Sequence, residues 1–87
     1  MSKYTLVYKK PAAKEIGKLP DHIKKRLKTK LEWFISQDDP FEFAQPLTKP
    51  SDAQYRFRVG NYRLLFDVED NKIVVLHIQH RREVYRK

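Results

Sequence analysis

The spacing of apolar positions changes along the chain from two residues to nearly four and back to two. Tyr4, Leu6 and Tyr8 alternate with Thr5 and Val7, which predicts a first strand ended by Lys9, Lys10 and Pro11. Ala12, Ile16 and Leu19 then recur at helical spacing. Pro11 suits the first turn of that short helix, Gly17 weakens it and Pro20 ends it. Asp21 is placed to cap a second, longer helix with the apolar stripe Ile23, Leu27, Leu31, Phe34 and Ile35. Residues 38–53 carry three prolines and four of the eleven acidic residues, and read as a connection rather than an element. Phe41, Phe43 and Leu47 are its expected anchors to the core.

Period-two patterning returns at about residues 54–59, 62–68 and 72–79. Between the first two of these strands lies Gly60-Asn61, a strong signal for a two-residue hairpin turn. Such a turn pairs Val59 with Tyr62, Arg58 with Arg63 and Phe57 with Leu64. Arg56, Arg58 and Arg63 then share one face, and Tyr55, Phe57, Val59, Tyr62 and Leu64 the other. Continuing that period puts His77 on the face of Phe57 and Leu64, as a packed histidine. Leu65, Leu76 and Ile78 fall with the arginines, where they need a lid from the chain's own tail or from a partner.

The expected fold is a two-layer α+β domain spanning residues 1–87. Its order is strand, helix, helix, then an antiparallel three-stranded meander. The first strand pairs with the last, giving a four-stranded sheet with two helices on one face.

Like charges directly opposite one another destabilise a strand pair. An Arg58–Arg63 pair beside Arg56 therefore points to an anion, and the planar guanidinium fork fits phosphate. Composition agrees: the 87 residues carry a formal net charge of +8, which favours a polyanionic partner such as nucleic acid. The two cation types are segregated. Ten of twelve lysines lie at or before Lys49, whereas six of seven arginines lie at or after Arg56. The lysines of the second helix read first as a solvated face, with Lys24 and Lys28 as the candidate RNA contacts. The absence of cysteine excludes disulfides, a thiol nucleophile and a Cys-based metal site. No phosphate-binding glycine loop occurs, and His77 and His80, three apart on a strand, point to opposite faces rather than to one metal. No cofactor is expected. Without a secretory signal or a membrane-length apolar run, a cytoplasmic protein with no membrane partner is expected.

The run Tyr55–Arg63, the strand pair after it and the ending His80-Arg81-Arg82-Glu83-Val84-Tyr85 resemble the RelE branch of the RelE/ParE toxin superfamily. The resemblance spans the whole chain in length and element order. It implies a toxin of a type II toxin–antitoxin module that cuts mRNA on the ribosome, by metal-independent attack of a ribose 2′-OH on the adjacent phosphate. Its implied partners are the ribosome, mRNA and a neutralising RelB-like antitoxin, through which the complex can bind operator DNA. By position, Arg56 and Arg58 match basic strand residues, Arg63 the arginine after the turn, Arg81 the tail arginine and Tyr85 the tail tyrosine. Arg82 joins Lys24 and Lys28 as an RNA contact. Arginine stands here where the first strand of the branch carries lysine, and arginine is a poor proton donor or acceptor. That departure adds His80 to the expected catalytic set of Arg56, Arg58, Arg63, Arg81 and Tyr85. A ParE-like gyrase inhibitor without nuclease activity and a non-catalytic RNA-binding domain are the alternatives.

Overall fold

The computed structural model describes residues 3–48 and 53–80. Strand β1 (Thr5–Tyr8) leads into helix α1 (Lys10–Gly17) and helix α2 (Asp21–Ser36). A single 3-10 turn (Pro40–Phe43) and a two-residue strand β2 (Gln45–Pro46) follow, then β3 (Tyr55–Val59), β4 (Tyr62–Glu69) and β5 (Lys72–His80). The sheet order is β1-β5-β4-β3-β2, with β1 parallel to β5 and the other pairs antiparallel. The α+β class and the pairing of first strand with last hold. The sheet has five strands rather than four, because Gln45–Pro46 in the long connection pairs with Tyr55 and Arg56.

That connection also folds locally. Asp39 Oδ1 accepts the Phe41 N–H at 3.1 Å and so caps the 3-10 turn. Phe41 is held between Tyr4 and Tyr55, with ring centroids 5.4 and 5.3 Å away. Asp21 does not cap α2. It occupies the first helical turn instead, and Pro20 supplies the carbonyl that accepts the Ile23 and Lys24 N–H groups.

One face of the sheet packs against both helices. Its core joins Ala12 of α1 and Leu27, Leu31 and Phe34 of α2 to Phe57, Val59, Leu64, Phe66, Ile73, Val75 and Ile78 of the strands. Phe57 is the centre of a stack of rings, 4.3 Å from Phe34 on one side and 4.4 Å from Phe66 on the other.

The β3–β4 hairpin has the register expected: Val59↔Tyr62, Arg58↔Arg63 and Phe57↔Leu64. Gly60 has φ +58° and Asn61 does not share its sign, as in a type II′ turn with glycine first. A Cβ on Gly60 would lie 2.9 Å from Arg26 Nη2 of α2. The guanidinium can swing aside, so the backbone dominates: Gly60→Ala is expected to lower stability by about 1–2 kcal/mol. A denaturant midpoint shift at unchanged slope checks it.

Strand β5 departs from simple alternation. Leu65 pairs with His77 but Phe66 with Val75, so Leu76 is an extra residue in β5. This bulge reverses the phase beyond it. Ile78, expected among the arginines, is 4% exposed in the helix-side core. His77, expected in that core, pairs with Leu65 and through it aligns with Arg56 on the other face.

Candidate functional site

The face turned away from the helices presents two successive cross-strand rows: Arg56, Leu65 and His77, then Arg58, Arg63 and Gln79. The strand period and the hairpin turn place the three arginines together. Arg58 is exposed, whereas Arg56 and Arg63 are half-buried. Arg56 Nη2 donates to Gln45 Oε1 at 2.6 Å, so the short strand β2 orients its guanidinium. Leu65 is 7% exposed beneath this rim, and a cation held over buried apolar surface is less screened than one in open water.

Two nearby acids, Asp67 and Glu15, each accept a backbone N–H. Asp67 Oδ1 accepts the Gln54 N–H at 2.9 Å, and Gln54 Oε1 in turn accepts the Val68 N–H at 2.8 Å. Glu69 lies opposite Lys72. Glu15 of α1 reaches the open edge of β5, where its Oε1 accepts the Ile78 N–H at 3.2 Å and lies 3.7 Å from His77 Nδ1.

Three expected members of the site sit elsewhere. The last strand runs through His80, which keeps the strand phase and aligns with Tyr62 and Val59 on the helix side. Its ring meets Tyr62 edge-on at 4.9 Å, beside a cleft of about 350 Å³ lined also by Glu15, Lys18, Leu19 and Ile78. The sheet therefore separates His80 from the arginines. Lys24 turns to Asp21 Oδ1 at 3.8 Å, while Lys28 is exposed on α2. Arg81, Arg82 and Tyr85 lie outside the described residues.

His77 is the residue that sequence reasoning missed. Polar His77 and Gln79 flank apolar Ile78, and this local alternation already placed His77 outward. Tyr8 is a poor alternative base: burial, then the Glu32 carboxylate, raises its phenol above the ordinary value. Among the described residues no cluster of histidine, aspartate and glutamate could hold a metal ion, and no helix is long and apolar enough to cross a membrane.

A family model described as the ParE toxin of type II toxin–antitoxin systems matches residues 6–85. The chain belongs to this toxin family. Within the RelE/ParE superfamily it is a RelE-type toxin by its relatives. Toxin RelG of Mycobacterium tuberculosis is 28% identical over 88 residues, covering 97% of this chain and 98% of its own. Toxin RelE3 of Methanocaldococcus jannaschii is 28% identical over 82 residues, covering 92% and 93%. Among solved structures, the toxin–antitoxin complex RelBE2 from Mycobacterium tuberculosis contains a chain similar to this toxin at a TM-score of 0.68. The two share 26% identity over 90% of this chain and 98% of that one.

Proposed function

We propose that this RelE-type toxin is an mRNA endoribonuclease that acts on the ribosome and so inhibits translation. The observation that carries the reading is the Arg58–Arg63 cross-strand pair beside Arg56. In the proposed reaction a ribose 2′-oxygen attacks the adjacent phosphorus and loses its proton. The bond to the 5′-oxygen breaks, and that oxygen gains a proton. The product ends are a 2′,3′-cyclic phosphate and a 5′-hydroxyl. Negative charge grows on the phosphoryl oxygens as the pentavalent state forms, and guanidinium donors already in place stabilise it without reorganising. Arginine keeps its proton throughout the physiological range, so proton transfer falls to other groups. Tyr85 is one candidate, by resemblance. His77, which the register brings to the arginine face, is the other, and it replaces His80 in that role.

Tyr85 can act by stacking or through its hydroxyl, and the two roles separate experimentally. Stacking on a base is worth roughly 1–3 kcal/mol and survives loss of the hydroxyl. Tyr85→Phe is therefore expected to retain more cleavage than Tyr85→Ala. Equal, complete inactivation by both would assign the essential role to the hydroxyl.

A RelB-like antitoxin is the proposed regulatory partner, supported by the toxin–antitoxin complexes among the structural relatives. An acidic chain that folds on binding would mask the arginine face, with a salt-sensitive on-rate. Hydrogen exchange on the complex should show added protection over β3, β4 and the end of β5.

The matching family model carries the ParE name, which favours gyrase inhibition as the second reading. One experiment divides them: mRNA cleavage in a translation extract, run beside a gyrase supercoiling assay. Cleaved message with normal supercoiling supports the nuclease. Intact message with blocked supercoiling would replace it with the gyrase reading.

A further inference from the structure

Along one side of α2, His22, Lys25, Arg26, Thr29, Lys30 and Trp33 line a shallow groove of about 480 Å³. Their steps of three and four residues make them neighbours on one helix face. Among the described residues no carboxylate lines this groove. Asp21, the acid at its end of the helix, pairs with Lys24 instead, and Glu32 acts on Tyr8.

Trp33 is the chain's single tryptophan, and it stays 42% exposed. Lys30 Nζ lies 4.3 Å from its ring centroid, and Phe43 supports it edge-on at 4.9 Å. The groove's other end meets the hairpin, where the Arg26 guanidinium lies against Gly60. The Arg58–Arg63 row is two residues back from that turn, roughly 7 Å along the strands. Cations thus follow one another from the arginine face, round the hairpin tip, to the tryptophan.

We infer that this groove is an RNA exosite, which holds the strand continuing from the segment on the arginine face. The inference rests on the RNA-cleaving reading of that face. Phosphates follow Arg26, Lys25 and Lys30, and a base takes the Trp33 ring, moving the Lys30 ammonium from the ring onto a phosphate. An acidic peptide would answer the charge equally well. The aromatic set among the cations is what favours RNA, because a base has a π-face to stack and an acidic side chain has none.

The single tryptophan makes the test site-specific. The full chain is titrated with a short single-stranded RNA and, separately, with polyglutamate, while tryptophan emission is followed. RNA should quench Trp33 saturably, and steeply less so as salt rises. Polyglutamate should quench weakly and should not displace RNA. In anisotropy with labelled RNA, the surface variant Lys25→Ala/Lys30→Ala should bind about tenfold more weakly or worse. Its salt dependence should be shallower by about 0.7 for each phosphate no longer neutralised. Trp33→Ala, if its melting curve shows a folded chain, should weaken binding similarly.

Quenching that persists in Arg63→Ala while cleavage is lost would show two separate binding regions and support the exosite. Quenching by wild type, together with intact message in the translation extract, would remove the nuclease reading yet leave RNA binding at α2 standing. Equal quenching by polyglutamate, or RNA affinity unchanged in the lysine double variant, would overturn the exosite.

Discussion

Arg63→Ala is expected to lower RNA cleavage about 100- to 1000-fold and to abolish growth inhibition, with little change in melting temperature. The size follows from removing one pre-placed donor to a developing oxyanion. The specificity follows from the register. Arg63 is directed to the face away from the helices, between Tyr62 and Leu64, which are directed to the core. Truncating it leaves the helix-side packing in place. Arg63→Lys keeps the charge but loses the planar fork, and should fall between wild type and alanine. Arg81→Ala is expected to match the alanine variant at Arg63. Near-normal cleavage in both alanine variants, at matched expression, would remove the arginines from the catalytic assignment.

Phe57→Ala is the change with the largest expected effect on stability, about 3–5 kcal/mol. The ring is fully buried and sandwiched between Phe34 of α2 and Phe66 of β4. Its loss opens a cavity where the long helix, β3 and β4 meet. Domains of this size hold only about 5–15 kcal/mol in total, so the variant should be partly unfolded at 37 °C. Chemical denaturation measures the loss directly. A loss below about 1 kcal/mol would mean that Phe34 and Phe66 close over the gap. Because Phe57 shares β3 with Arg56 and Arg58, activity should fall with the folded fraction rather than independently of it.

The contrast between those residues explains how much could be read from the sequence. The hairpin was legible because a Gly-Asn turn pins the register, and a pinned register decides the face of every residue along two strands. The stripe of α2 was legible because Leu27, Leu31 and Phe34 repeat at the helix period and are all buried. Strand β2 was not, since a two-residue pairing has no period and Pro46 argues against a strand anywhere but at an edge, which is where it lies. The lysines of α2 were visible as a group only. The hairpin tip lands against Arg26 of the same helix, a contact that helical spacing alone does not reveal.

Ile73 and Ile78 are five positions apart, yet both are buried in the same core. Strict alternation would divide them. Strand β5 is thus two short sentences written in opposite grammatical parity, with Leu76 as the comma between them. The first half answers to β1 and the helices, and the second decides which side chains stand beside the arginines. Loss of the single codon for Leu76 would leave residues 72–75 reading as before. Over 77–80 it would restore unbroken alternation with every residue still on its present face, because Val75 would be followed directly by His77, opposite Phe66 and Leu65. Drawing Leu76 into regular alternation is what would exchange inside for outside, so the extra residue decides which side chains stand beside the arginines.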